Sequence, residues 1–139
     1  MKNKIKYYHC IGKRKCSIAL IYVNILKNNN KKKYNILINN KTINEYFKNN
    51  LLLKNNVIKP LILTNNLNKF NINVKVKGGG CNGQSEAICL AISRVICKID
   101  INNRKIFKPY KMLTRDSRQV ERKKFGRKKS RKKFQFSKR

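Results

Sequence analysis

Acidic residues are scarce. Five Asp+Glu stand against 36 Lys+Arg in 139 residues, a formal net charge of +31. A tight fold of this size cannot carry so many like charges without strong self-repulsion, so the chain stays partly extended or sits beside a polyanion. The five carboxylates are also scattered, and a nuclease needs clustered acids to hold its metal. There is a single histidine, His9, and the five cysteines at positions 10, 16, 81, 89 and 97 include no CxxC pair. That excludes an ordinary zinc site. An odd, unpatterned set reads instead as reduced, mostly buried thiols in a reducing compartment. No run of 18 apolar residues exists to span a bilayer, and the opening MKNKIKYYHC lacks the apolar stretch of a secretory signal.

What is present narrows the choice. Hydrophobic residues make up 40% of the chain, enough for one small core, so this is not a purely disordered basic peptide. Nucleic acid is the favoured polyanion, ahead of a membrane surface, which calls for a basic amphipathic helix or a lipid anchor. Asn (21 residues) and Ile (17), together with Lys, are what AT-rich codons supply. This bias describes the genome more than the activity.

The pattern along the chain predicts an α+β domain over residues 1–110 and an extended basic tail over 111–139. Residues 16–26 read as a strand buried on both faces for part of its length, and 34–40 as a second strand. The basic stretch 28–33 would then be the tip of a hairpin joining them. Thr42 with Glu45 is a capping-box signature opening a short helix or two, broken at Asn49-Asn50 and ended by Pro60. Residues 61–70 are ambiguous between helix and strand. Residues 70–77 alternate, with Phe70, Ile72, Val74 and Val76 on one face. Residues 84–99 carry the clearest helical stripe, Ala87, Ile88, Ala91, Ile92, Val95, Ile96 and Ile99, with Asn82 or Ser85 as candidate caps. A short helix over 103–112, ending near Pro109, and another near 116–123 are weaker expectations.

Two motifs bear on chemistry. Residues 78–85, GGGCNGQS, match the spacing of a phosphate-binding loop except that Gln84 stands where the lysine belongs. Without that charge, nucleotide hydrolysis is not expected. A glycine turn into a helix N-terminus still suits one phosphate of a nucleic-acid backbone, or simply a sharp turn. The tail is the stronger signal. Residues 111–139 hold 14 basic and 2 acidic residues, interleaved with Phe125, Phe134 and Phe136. Cations displace counterions from phosphates, and rings stack on splayed bases. Asp116 and Glu121 lie among arginines and read as ion-pair partners, not as catalytic acids.

These residues resemble the ribosomal small-subunit protein nine family of bacterial and organellar type. GKRKCSIALIYV at 12–23 is similar to that family's opening segment. ILINNK at 36–41, EYF at 45–47 and PL at 60–61 follow in order. FNINVKVKGGGCNGQSEAI at 70–88 resembles its glycine-loop and helix segment, and LTRDSRQVERKKFGRKKSRKKFQFSKR at 113–139 its basic terminus. The chain departs from the family at Cys16-Ser17, at Glu86 (usually Gly or Ala), at Cys89 (usually basic) and at Lys13 (commonly Arg), where the charge stays but the bidentate fork is lost.

The resemblance implies a small four-stranded sheet with helices packed on one side, like the second domain of ribosomal protein S-five. It implies a non-enzymatic role with no cofactor, metal or small-molecule substrate. The domain would bind the 3′ major domain of the small-subunit rRNA among neighbouring head proteins. The tail would run through rRNA to the peptidyl-site tRNA. Candidate rRNA contacts are Lys13, Arg14 and Lys15; Lys77, Gly78 and Gly79; and Arg115, Arg118, Arg122, Lys123, Lys124, Arg127, Lys128, Lys129, Arg131, Lys132 and Lys133. Ser137, Lys138 and Arg139 are the candidate tRNA contacts. A free RNA-binding or RNA-chaperone protein is the alternative, and a phosphate-loop nucleotidase a distant third. Because the match begins near Gly12, no targeting presequence is expected. An organelle, plastid ahead of mitochondrion, is the expected setting, with an AT-rich bacterium as the alternative.

Overall fold

Strict alternation of apolar residues builds the sheet. A computed structural model describes residues 7–25 and 35–138. Its strands are β1 (Tyr7–Arg14), β2 (Ser17–Ile25), β3 (Asn35–Ile38), β4 (Lys41–Thr42) and β5 (Phe70–Lys77). Its helices are α1 (Ile43–Tyr46), α2 (Leu51–Leu63), α3 (Cys81–Ile99) and α4 (Asn103–Phe107). The sheet order is β1-β2-β5-β3-β4. β1 and β5 flank β2 as antiparallel neighbours, whereas β3 runs parallel to β5. The fold is therefore α+β with a mixed sheet.

Several expectations change here. The sheet has five strands rather than four, because two residues, Lys41 and Thr42, turn back onto Leu37 and Ile38. The expected hairpin between β2 and β3 does not form, since β5 lies between them. Its expected tip, 28–33, falls outside the described residues. Nor is β2 buried on both faces. Ala19, Ile21 and Val23 are sealed in the core, while Ile18 and Tyr22 are 45% and 36% exposed on the other face.

The core lies between that inner face and the helices. Ile21, Ile72, Val74 and Ile38 meet Ile88, Ala91, Ile92 and Val95 of α3, with Val57 and Leu61 of α2 and Phe107 of α4 closing it. Gly12 allows β1 to come close to α3. A Cβ there would run into the backbone carbonyl of Ala87 and the methyl of Ala91. The small residues on both sides belong to one close contact.

Caps and stops follow local chemistry, with exceptions. Thr42 and Glu45 form the expected reciprocal capping box. Asn50 caps α2 by accepting from the N–H groups of Leu52 and Leu53. Pro60 does not end α2, which runs one further turn to Leu63. The missing N–H leaves the carbonyl of Asn56, an exposed residue, to solvent, while the proline ring is buried in the core. The helix ends at Thr64, whose hydroxyl donates to the Pro60 carbonyl. α3 begins three residues earlier than expected, and neither Asn82 nor Ser85 caps it. Its N-cap is Gly80, with no side-chain hydrogen bond. α4 stops at Phe107, ahead of Pro109. No helix forms over 116–123; those residues are irregular and mostly exposed, with no apolar stripe to bury.

Candidate nucleic-acid interface

Three chain segments meet at one corner of the domain: the β1–β2 turn, the glycine loop after β5, and the N-terminus of α3. Gly78 and Gly79 both have positive φ, +73° and +67°. At Gly78 a Cβ would press on the Cys16 carbonyl, and at Gly79 on the Ser17 hydroxyl, so the loop folds directly against the β1–β2 turn. Gln84 fixes it from the other side. Its amide donates to the Gly78 carbonyl at 3.1 Å and its oxygen accepts from Tyr46 at 2.9 Å. At the position where a nucleotide-binding loop has its lysine, this side chain is a strut.

The corner is rich in donors. The first N–H groups of α3 have no partners within the helix, and no side chain caps them. The partial positive charge there favours an anion. Lys77 is exposed beside the loop, and Lys13 and Lys77 both pair in register with Ile18, so the two flank it. Lys15 is exposed in the β1–β2 turn. Ser17 is fully buried beneath Gly79 and Gly83, and its hydroxyl has no hydrogen-bond partner among the described residues. Of the expected domain contacts, Lys13, Lys15, Lys77, Gly78 and Gly79 are thus gathered together.

Arg14 is placed differently. Its guanidinium is 15% exposed and bridges two carboxylates, Glu86 on α3 and Asp116 at the start of the tail, the latter at 3.1 Å. It also donates to the Arg118 carbonyl at 3.1 Å. Gln119 donates to the Lys15 carbonyl at 2.8 Å, and Arg94 of α3 donates to the carbonyls of Ile11 and Leu113. Residues 113–119 are tied along β1 by these bonds. Asp116 also takes a bidentate bond from Arg118. The Arg118 side chain, with its backbone N–H and the nearby Arg14, holds the Asp116 carboxyl well below the usual carboxylate range. Sequence reasoning missed Arg94. Its one signal was a lone arginine inside an otherwise apolar helical stretch. Glu86, noted as a departure from the family pattern, is an anchor for Arg14.

Beyond residue 119 the described cations are exposed, apart from the half-buried Arg127. The tail is not simply extended there. It turns back near Gly126, with Arg131 bonded to Glu121, Ser130 to the Glu121 carbonyl and Arg127 to the Arg131 carbonyl. Lys128 lies 5.7 Å from the centre of the Phe134 ring, while Phe125 and Phe136 are almost fully exposed. Ser137 and Lys138 are exposed at the end, and Arg139 lies outside the described residues.

The thiols are less buried than expected. All five are free, but Cys16 and Cys81 are exposed and the other three half-buried. Burial pushes the Cys89 thiol up to about 11, which leaves it protonated and inert. Among the described residues no group of three or more His, Cys, Asp and Glu could hold a metal, and no helix is long and apolar enough to cross a membrane.

The family model for ribosomal protein S9/S16 matches residues 12–139. The chain belongs to that family. The chain is 45% identical over 131 residues to the small ribosomal subunit protein uS9 of Flavobacterium psychrophilum, covering 94% of this chain and 97% of the relative. It is 47% identical to uS9 of Christiangramia forsetii over the same span and coverage. It is 45% identical to uS9 of Chlorobium phaeovibrioides over 129 residues, 93% of this chain and 95% of the relative. These relatives are bacterial. The chain is a ribosomal structural protein and not an enzyme.

Proposed function

We propose that this chain is a structural constituent of the small ribosomal subunit that holds rRNA helices together by neutralising their phosphates. The domain, residues 1–110, sits on the 3′ major domain of the small-subunit rRNA in the subunit head, beside neighbouring head proteins. The glycine corner with Lys13, Lys15 and Lys77 supplies its phosphate contacts. The tail, residues 111–139, takes its final path from the rRNA it threads, and Ser137, Lys138 and Arg139 reach the peptidyl-site tRNA. A cation meeting a tRNA phosphate reads no sequence, which suits a site that accepts every tRNA.

The observation that carries this reading is the tail itself. It has 14 basic residues against 2 acidic ones, only three partly buried described residues beyond its first three, and three aromatic rings on its outside. Such a segment has no core of its own and gains order from a polyanion. The Asn, Ile and Lys excess favours an AT-rich genome, and we place the protein in an organelle ribosome, plastid before mitochondrion, with an AT-rich bacterium as the other setting.

The test is a truncation. Small subunits assembled with a chain ending at Phe136 should form normally and release peptidyl-site tRNA faster. Unchanged tRNA retention would remove the terminal contact, and failure of the full-length chain to co-sediment with small subunits in high salt would remove the ribosomal placement.

A further inference from the structure

The sheet has a second face that no helix among the described residues covers. Tyr7, His9, Ile11 and Lys13 of β1 alternate onto it, and the antiparallel register sets them opposite Asn24, Tyr22, Leu20 and Ile18 of β2. β5 adds Asn71, Asn73, Lys75 and Lys77. The rows form a gradient. At one end Tyr7 lies beside amides; next His9, Tyr22 and Asn73 lie in line; then Ile11, Leu20 and Lys75; and finally Lys13, Ile18 and Lys77 beside the glycine corner. None of these positions is a carboxylate.

Tyr7 is 54% exposed and Tyr22 36%. Neither ring, nor His9, is engaged in a hydrogen bond or ring contact among the described residues. With Leu37, Asn73 and Lys75 they line a shallow depression of about 540 Å³.

We infer that this open face is a second RNA site, taking unpaired bases of a single-stranded rRNA segment on Tyr7, His9 and Tyr22, with its phosphates on Lys75, Lys77 and Lys13. Three features favour RNA over a protein neighbour. The charged side chains of the face, Lys13, Lys75 and Lys77, are all cationic. The exposed rings have flat π-faces on which any base stacks. The exposed amide of Asn73 offers a donor and an acceptor to base edges, as exposed sheets do when they read single strands. The basic row is also continuous with the glycine corner through Lys77-Gly78. This inference rests on the rRNA-binding reading and adds a mode that charge alone does not supply. The tail contacts phosphates; this face holds bases.

The test compares the full-length chain on a short oligouridine and on an RNA duplex with the same number of phosphates. The double substitution Tyr7→Ala, Tyr22→Ala should weaken oligouridine binding about tenfold or more, from the loss of base stacking. Duplex binding and its salt dependence should stay unchanged. Tyr7→Phe with Tyr22→Phe keeps both rings and should restore oligouridine affinity, which separates stacking from any loss of fold. In assembled small subunits, ultraviolet cross-linking should join a nucleobase to the peptide holding Tyr7 or Tyr22. Equal losses on both RNAs, no loss on either, or cross-links from this face to a protein would overturn the second site. Salt-insensitive binding of both RNAs by the unaltered chain would undo the rRNA reading itself.

Discussion

The first 110 residues carry 22 basic and 3 acidic residues, and the last 29 carry 14 and 2. The charge has the same sign in both regions, yet the two hold their shape by different means. The domain buries a continuous core of Ile, Val, Leu, Ala and Phe side chains. The tail buries nothing beyond partial cover at its root and its turn. Hydrophobic burial of about 25 cal/mol per Å² orders the first region without help, and the second has no comparable source of order. The carboxylates show the same division. Glu45 caps α1, Asp100 accepts from Asn102 and Asn103 in the turn after α3, and Glu86 holds Arg14. Asp116 and Glu121 hold the tail's root and its fold-back. All five acids fix geometry, and most of the described cations are exposed.

The largest expected contrast is between two phenylalanines. Phe107 is fully buried, and Phe107→Ala should cost about 3–5 kcal/mol in urea unfolding. Phe125 is fully exposed, and Phe125→Ala should change the same measurement by less than about 0.5 kcal/mol. A large effect at Phe125 would mean that the tail belongs to the folded unit. Next comes the joint between the regions. Arg14→Ala should free residues 113–119, seen as faster tryptic cleavage after Arg115 and Arg118 with little change in the domain's urea midpoint. Unchanged cleavage would show that Arg94 and Gln119 suffice to hold the root.

The smallest effect is the joint's response to acid. The folded-state acidity of Asp116 lies below its ordinary value, through Arg118 first and then Arg14. Its contribution is therefore complete above about pH 4, the ordinary carboxylate value, and is lost only as pH falls through the lower folded value. Amide exchange at Arg118, whose N–H donates to Asp116 at 2.9 Å, should stay slow at pH 4 and quicken only in stronger acid. Release at pH 5 would contradict the pairing.

Much of the domain was legible because it obeys local periodicities. The alternation of residues 70–77, the stripe along α3 and the Thr42–Glu45 box all appear as the pattern predicts. What stayed hidden depends on contacts distant in sequence. β1 carries no uniform apolar alternation because its inward residues include Gly12 and Arg14, which face α3 and Glu86. The neighbours of β2 are set by the crossover through α1 and α2, which brings β5 between β2 and β3. Pro60 reads as a stop because the rule concerns a lost hydrogen bond, whereas here the carbonyl left over belongs to a solvated residue. At the candidate interface, Lys13, Lys15, Lys77, Gly78 and Gly79 were expected from the family resemblance, and the structure places them at one corner. The bridge from Arg14 to Glu86 and Asp116 joins residues up to 102 positions apart, and the open face of Tyr7 and Tyr22 emerges only once β2 is known to be covered on one side.

On the proposed reading, the 14 cations of the tail make a large share of the phosphate contacts. The most direct measurement is the salt dependence of binding to a 3′ major-domain rRNA fragment, for the full chain and for a chain ending at Tyr110. The account predicts a steep slope of log affinity against log salt for the full chain, and a slope shallower by up to roughly ten for the shortened one. Equal slopes for the two would contradict it.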